Sequence, residues 1–151
     1  MTKSEQDTRE HIGKVRYHLA VIRANLTERA NAHDKSKLEE PELSGYEGLS
    51  AALQGLTYGS PEYRTAFAPF KEIIQHHYAS NTHHPEHWAN GIADMSLFDI
   101  IEMLADWKAA SERGNGDFKH SLEVSIARFH FDDDRIGEIL TNTARELGWI
   151  V

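Results

Sequence analysis

The sequence predicts an all-α protein. Three observations carry that expectation. Four prolines and scattered glycines leave long stretches of chain uninterrupted. Apolar residues recur in those stretches at helical spacing. No segment alternates apolar and polar residues over the length of a strand. A chain of 151 residues is the size of one domain with a real core. The expectation is a single domain over residues 1–151, a compact bundle of about six to seven helices.

The first helix is expected from about Glu5 to Asn25. Ile12, Val15, Leu19, Ile22 and Leu26 define the stripe that it would bury. His11 and His18 lie about 20° apart around that helix and border the stripe. They suit the wall of a cleft, although either one alone also reads as a solvated boundary residue. Thr27 can cap a short second helix that carries His33 and Asp34. A chain reversal near Leu26 would bring His33 level with His18 more easily than with His11. An adjacent His-Asp pair is by itself no more than a surface helix end, so its weight depends on partners further along.

Residues 39–60 read as a connector, punctuated by Pro41, Gly45, Gly48, Gly55 and Gly59. It has room for one short helix around Leu49–Leu53. Ser60 then caps a third helix with Pro61 in its first turn. That helix runs through Phe67, Phe70, Ile73 and Ile74 to about Tyr78, and Pro69 can kink or split it. Helical phase turns His77 inward with Phe70 and Ile74, and turns His76 outward.

Residues 76–87, HHYASNTHHPEH, hold His76, His77, His83, His84 and His87, half of the chain's ten histidines. Imidazole is the commonest metal-binding side chain and changes charge near neutral pH, so this density points to a metal or an anion. The alternative is a polar loop or a structural hydrogen-bond knot. Asn81–His87 is expected to be a turn. Pro85 holds His84 out of helical geometry and can open a short helix, PEHWAN, that stops at Gly91.

The fourth helix, SLFDIIEMLADWKAASERG, starts with Ser96 and Asp99 in capping-box spacing. Leu97, Ile101, Leu104 and Lys108 share one face with apolar flanks, as expected of a buried central helix. Asp99, Glu102 and Asp106 form a narrow acidic stripe that suits either a solvated face or a cleft. Two further helices follow. One is capped by Asp117 and carries Phe118, Leu122, Val124, Ile126 and Phe129. The other starts at Asp132–Asp134, carries Ile136, Ile139, Leu140 and Leu147, and ends at Gly148.

Composition narrows function. A net charge of −8 argues against a broad footprint for duplex nucleic acid, so no nucleic-acid polymer is expected as a partner. A small phosphorylated substrate remains compatible, since a metal and a few lysines can hold it. There is no cysteine, so any metal must sit on nitrogen and oxygen ligands. No apolar run approaches the ~20 residues needed to cross a bilayer. The polar N-terminus does not read as a signal peptide. The expected setting is the cytoplasm, without a membrane partner, and self-association stays open.

The stretches HIGKV (11–15), HDKSK (33–37) and LADWKAA (104–110) resemble segments of the HD-domain superfamily of metal-dependent hydrolases, an all-α fold. More closely, HDKSKLEEPE, YGSPEY, HHYASNTHHPEHW and GIADMSLFDIIEMLADWKAA resemble a group of small phage and bacterial proteins. The HD-domain resemblance implies a histidine on an early helix, a His-Asp doublet and a later aspartate as metal ligands. Here these would be His18 or His11, His33 and Asp34, and Asp106. HD domains usually place the first histidine further ahead of the doublet than the 15 residues from His18 or the 22 from His11. HIGKV favours His11; the antiparallel geometry favours His18. His77 and His84 would hold a second metal or the phosphate.

The implied cofactor is one or two divalent transition metals: Zn, Mn, Fe, Co or Ni. Asp34, Glu102 and Lys37 are the expected catalytic groups, and Lys37, His83 and His87 the expected substrate contacts. The implied activity is hydrolysis of a phosphoester of a nucleotide or nucleotide-like metabolite. The alternatives are a non-catalytic metal or ligand-binding module and a dinuclear iron oxygenase of HD-type fold.

Overall fold

In a computed structural model, Thr2 opens the first helix, α1 (Lys3–Ala32), with a capping box: its hydroxyl accepts from the Glu5 N–H at 3.2 Å, and the Glu5 carboxylate accepts from the Thr2 N–H at 3.4 Å. The structure describes residues 1–56, 60–113, 116–131 and 135–151. Among these every regular element is helical and there is no strand, as expected. They divide into two compact units, Met1–Asp94 and Met95–Val151.

In the first unit, α1 does not reverse near Leu26. Thr27 caps nothing; its hydroxyl donates back to the Arg23 carbonyl at 3.0 Å inside the continuing helix. A helix that runs straight on cannot fold back over its own stripe. Ile12, Val15, Leu19 and Ile22 are accordingly exposed, where the sequence had suggested burial. The helix ends at His33, whose N–H still reaches the Arg29 carbonyl at 2.8 Å. Asp34 then adopts a left-handed conformation (φ 54°, ψ 19°), and a 3-10 turn, Lys35–Leu38, follows.

The connector expected over 39–60 is mostly a helix, α2 (Glu42–Leu53). Its glycines are packing positions and not breaks. A Cβ at Gly45 would lie 2.7 Å from Ile73, and one at Gly48 would lie 3.0 Å from Phe70. Glycine leaves room for the Ile73 and Phe70 side chains against α2, and that outweighs its poor helix propensity. Gly59 lies outside the described residues.

Ser60 caps α3 (Pro61–Phe67), with its hydroxyl accepting from the Tyr63 N–H. Pro69 sits in a 3-10 turn that separates α3 from α4 (Lys71–Ser80), which is the split that Pro69 allowed. The segment after α4 is a turn with a 3-10 element at Pro85–His87. A second 3-10 element spans Gly91–Asp94, so PEHWAN is shorter as a helix than its sequence suggested.

The second unit holds α5 (Leu97–Arg113), α6 (Phe118–Phe129) and α7 (Ile136–Glu146). Ser96 and Asp99 form the expected reciprocal cap of α5. Met103 and Leu104 are its buried apolar residues, and Leu97 and Ile101 are exposed. The helix is therefore amphipathic, with less of its circumference covered than its composition suggested. Trp107 stacks on Phe129 and Phe131. Asp117 caps α6, with its carboxylate accepting from the Lys119 N–H at 2.9 Å. Phe118, Leu122 and Ile126 of α6 are buried, as are Leu140 and Ala144 of α7. The acidic run Asp132–Asp134 lies outside the described residues. Among the described residues no helix is long and apolar enough to cross a membrane.

Candidate metal centre

The first unit gathers a carboxylate and several imidazoles at the place where the end of α1 meets the end of α4. Asp34, His77, His83 and His84 each offer one ligand atom, and these atoms all lie within 4.8 Å of one another. His77 Nε2 stands 3.5 Å from Asp34 Oδ1, and His83 Nε2 stands 3.7 Å from the same oxygen. His77 Nε2 and His84 Nε2 are 2.9 Å apart. Ligand atoms at about 2.1 Å from a tetrahedral metal lie about 3.4 Å from each other. The edges of this cluster bracket that distance.

Asp34 Oδ1 is buried and makes no hydrogen bond. A buried carboxylate oxygen left in that state is costly, and a cation between it and the imidazoles would satisfy it. Four nitrogen and oxygen donors of this kind suit a first-row divalent metal.

Each donor is held by its own local structure. The left-handed backbone of Asp34 costs of order 1 kcal/mol for a residue with a side chain, and Asp tolerates it better than most. It turns the carboxyl inward directly after α1. The other oxygen, Oδ2, accepts from Lys37 Nζ at 2.6 Å, and that ammonium also lies 5.0 Å from the centre of the Tyr46 ring. Asp34 thus divides its oxygens between Lys37 and the imidazoles.

His84 is extended (φ −94°, ψ 127°), as the following Pro85 requires. The turn around it is pinned at three points. Trp88 Nε1 donates to the Thr82 carbonyl at 2.8 Å, His87 Nδ1 donates to the Tyr78 carbonyl at 2.8 Å, and Arg29 donates to the Thr82 hydroxyl at 3.1 Å.

His77 is buried on α4, facing inward as its helical phase predicted. Its Nδ1 lies 2.9 Å from Glu42 Oε2, and His76 Nδ1 lies 2.8 Å from Glu42 Oε1. An ionised carboxylate only accepts, so each Nδ1 carries the hydrogen. The Nε2 of His77 is then left with a lone pair, 3.5 Å from Asp34 Oδ1 and 2.9 Å from His84 Nε2.

Electrostatics support these states. Burial pushes the Asp34 carboxyl up, but the bond and charge of Lys37, with His33 and His77 beside it, outweigh burial and hold it below the ordinary value. Burial also works against Glu42, and the bonds from His76, Ser36 and His77 again win, so it too is lowered. For His77, burial and the charge of Lys37 prevail over the pull of Glu42 and Asp34, so its pKa falls and the ring stays neutral. A neutral imidazole is the form that binds a metal.

The expected site residues separate by position. Asp34, His77 and His84 come together, and His83, expected on the substrate side, joins them. His33 adjoins the cluster, with its ring centre 4.6 Å from that of His83 and Nε2 3.5 Å from Asp34 Oδ2. Lys37 touches Asp34, and His87 holds the turn. His11 and His18 are exposed on α1. Because α1 is unbroken, the helical rise puts His18 about 22 Å and His11 about 33 Å from His33. The reversal that would have brought either to His33 does not occur, so neither reaches this cluster. Glu102 and Asp106 are half-buried on α5, in the second unit.

The 76–87 stretch therefore supplies three of the four grouped donors, where the resemblance had implied only a second metal or a phosphate contact for His77 and His84. Glu42, Ser36 and Asn81 were missed. Nothing local distinguishes Glu42, an acid in an apparent connector, until α2 is seen to lie against α4.

The fold and the cluster define a class: an all-helical protein with a partly buried His/Asp group that could hold a metal. Residues 1–146 match the model of a family of unknown function, DUF5662, and the chain belongs to that family. No curated protein and no solved structure matches it.

Proposed function

We propose that the chain is a metal-dependent hydrolase that acts on a phosphoester of a nucleotide or nucleotide-like metabolite. The observation that carries this reading is the convergence of buried Asp34 Oδ1, without a hydrogen bond, on His77, His83 and His84. These four residues would hold the metal. A divalent transition metal bound there supplies Lewis-acid polarisation of a phosphoryl oxygen and activation of water near neutral pH.

The protein's own groups would do the rest. Lys37 is partly exposed beside Asp34 and offers a cation to a phosphate oxygen. His77, kept neutral by burial, presents Nε2 as a donor to the metal. His83 and the Pro85-held His84 would complete the donor set. The likeness of HDKSK to HD-domain segments supports phosphoester chemistry over other hydrolyses.

One observation favours a second reading. Four protein donors can fill a tetrahedral shell, and closed shells are the mark of structural sites. The chain would then be a non-catalytic metal-binding module.

The test is to load the protein with Zn2+, Mn2+ or Fe2+, measure bound metal, and assay nucleotide monoesters and diesters, with Asp34→Asn alongside. The variant is chosen because Asn also tolerates the left-handed backbone. Hydrolysis that falls at least about 100-fold in Asp34→Asn, together with metal content, is the expected result. Bound metal without turnover, and unfolding on chelation, would select the module. A folded wild type with no metal affinity would remove both readings.

A further inference from the structure

Glu42 is fully buried in α2, yet it belongs to none of the groups that would touch a metal. Its two oxygens are nevertheless both committed to histidines of α4, and Ser36 donates to Oε2 at 2.9 Å. The Asn81 amide introduces a competition. Its Nδ2 lies 3.0 Å from His77 Nδ1, the nitrogen that faces Glu42, as well as 2.8 Å from the His77 carbonyl and 2.9 Å from the Ser36 hydroxyl. His77 Nδ1 thus stands between an acceptor that demands a hydrogen and an amide that can supply one only by giving up the His77 carbonyl or the Ser36 hydroxyl.

The outcome decides what the other nitrogen of the ring can do. With the hydrogen on Nδ1, Nε2 turns a lone pair toward Asp34 Oδ1 and His84. With Asn81 donating to Nδ1, the hydrogen moves to Nε2 and the donor is blocked.

We infer that Glu42 is the positioning residue of the cluster: its carboxylate wins Nδ1 of His77 from Asn81, fixes the ring in the Nδ1–H tautomer, and so presents Nε2 as a metal donor. The inference rests on the metal reading above for its consequence, and on hydrogen-bond geometry alone for the tautomer. A carboxylate behind a ligating histidine fixes its orientation and raises its basicity, and its removal typically weakens metal binding 10- to 100-fold.

Three forms of the full chain test this: wild type, Glu42→Leu and Glu42→Gln. Long-range proton–nitrogen spectra of the metal-free proteins report the tautomer, and titration with Zn2+ reports affinity. Wild type is expected as Nδ1–H. Glu42→Leu removes the acceptor, lets Asn81 donate, and is expected to move the hydrogen to Nε2 and to weaken Zn2+ binding about 10- to 100-fold. Glu42→Gln is expected to keep its carbonyl toward Ser36 and His77, retain the tautomer and recover most of the affinity.

An Nε2–H tautomer in the wild type overturns the inference, and it needs no variant to fold. So does a folded Glu42→Leu with the wild-type tautomer or wild-type affinity, which would make Glu42 a packing residue only. If the wild type binds no Zn2+, the metal reading fails by itself, and the spectra still decide whether Glu42 sets the ring.

Discussion

The two units of this chain use burial in opposite ways. Of the buried residues described in the first unit, Glu42, His77 and His83 are titratable, and only Leu49 and Pro85 accompany them. The second unit buries Met95, Met103, Leu104, Phe118, Leu122, Ile126, Phe131, Leu140 and Ala144, with Asp99 and Ser111 as its polar members. Apolar packing stabilises wherever the volume is filled. A buried polar network stabilises only while every member keeps its partner and protonation state. The difference separates a unit whose buried residues are mostly polar from one whose buried residues are mostly apolar.

Three perturbations sharpen the contrast. The largest effect is expected in the second unit. Leu122 is almost fully buried on α6, and Leu122→Ala should cost about 2–5 kcal/mol, read as a drop in the urea midpoint of amide signals from that unit. A loss below about 1 kcal/mol would mean that its apolar core is not what holds it.

Acid should act on the first unit. His77, Glu42 and Asp34 all have folded pKa values below their ordinary ones of 6.5, 4.5 and 3.8. Between folded and unfolded values the unfolded chain binds more protons, so stability falls as pH falls. The loss should begin below pH 6.5 with His77 and deepen as the two carboxylates follow. Urea midpoints for first-unit amides at pH 7.5, 5.5 and 4.5 would measure it. A midpoint that rose on acidification would contradict the neutral state of His77.

The smallest effect is expected at the other histidines of the same unit. His11 and His18 are exposed on α1, so His11→Ala and His18→Ala should change stability by less than about 0.5 kcal/mol and leave Zn2+ affinity unaltered. A large loss of affinity in either variant would put α1 back at the candidate metal centre.

Much of this was legible in the residues. The caps at Ser60, Ser96 and Asp117 fall where their side chains announced them. The inward phase of His77 and the stiff corner at His84 followed from helical angle and from Pro85. These are local properties, set by a few neighbouring residues. The end of α1 was misjudged because Thr27 caps or continues a helix with equal ease. The connector was misjudged because a glycine that breaks a helix and one that admits a neighbour look alike in one dimension.

Helix as the fold class, nitrogen and oxygen as the ligand chemistry, and the density of imidazole at residues 76–87 belong to the sequence alone, because composition and local periodicity suffice for them. Which histidines meet Asp34, and which carboxylate stands behind them, came from packing. Glu42 and His77 are 35 residues apart, and their meeting depends on Gly45 and Gly48 allowing α2 to close on α4. No pattern within either segment records that approach. It exists once the two helices touch.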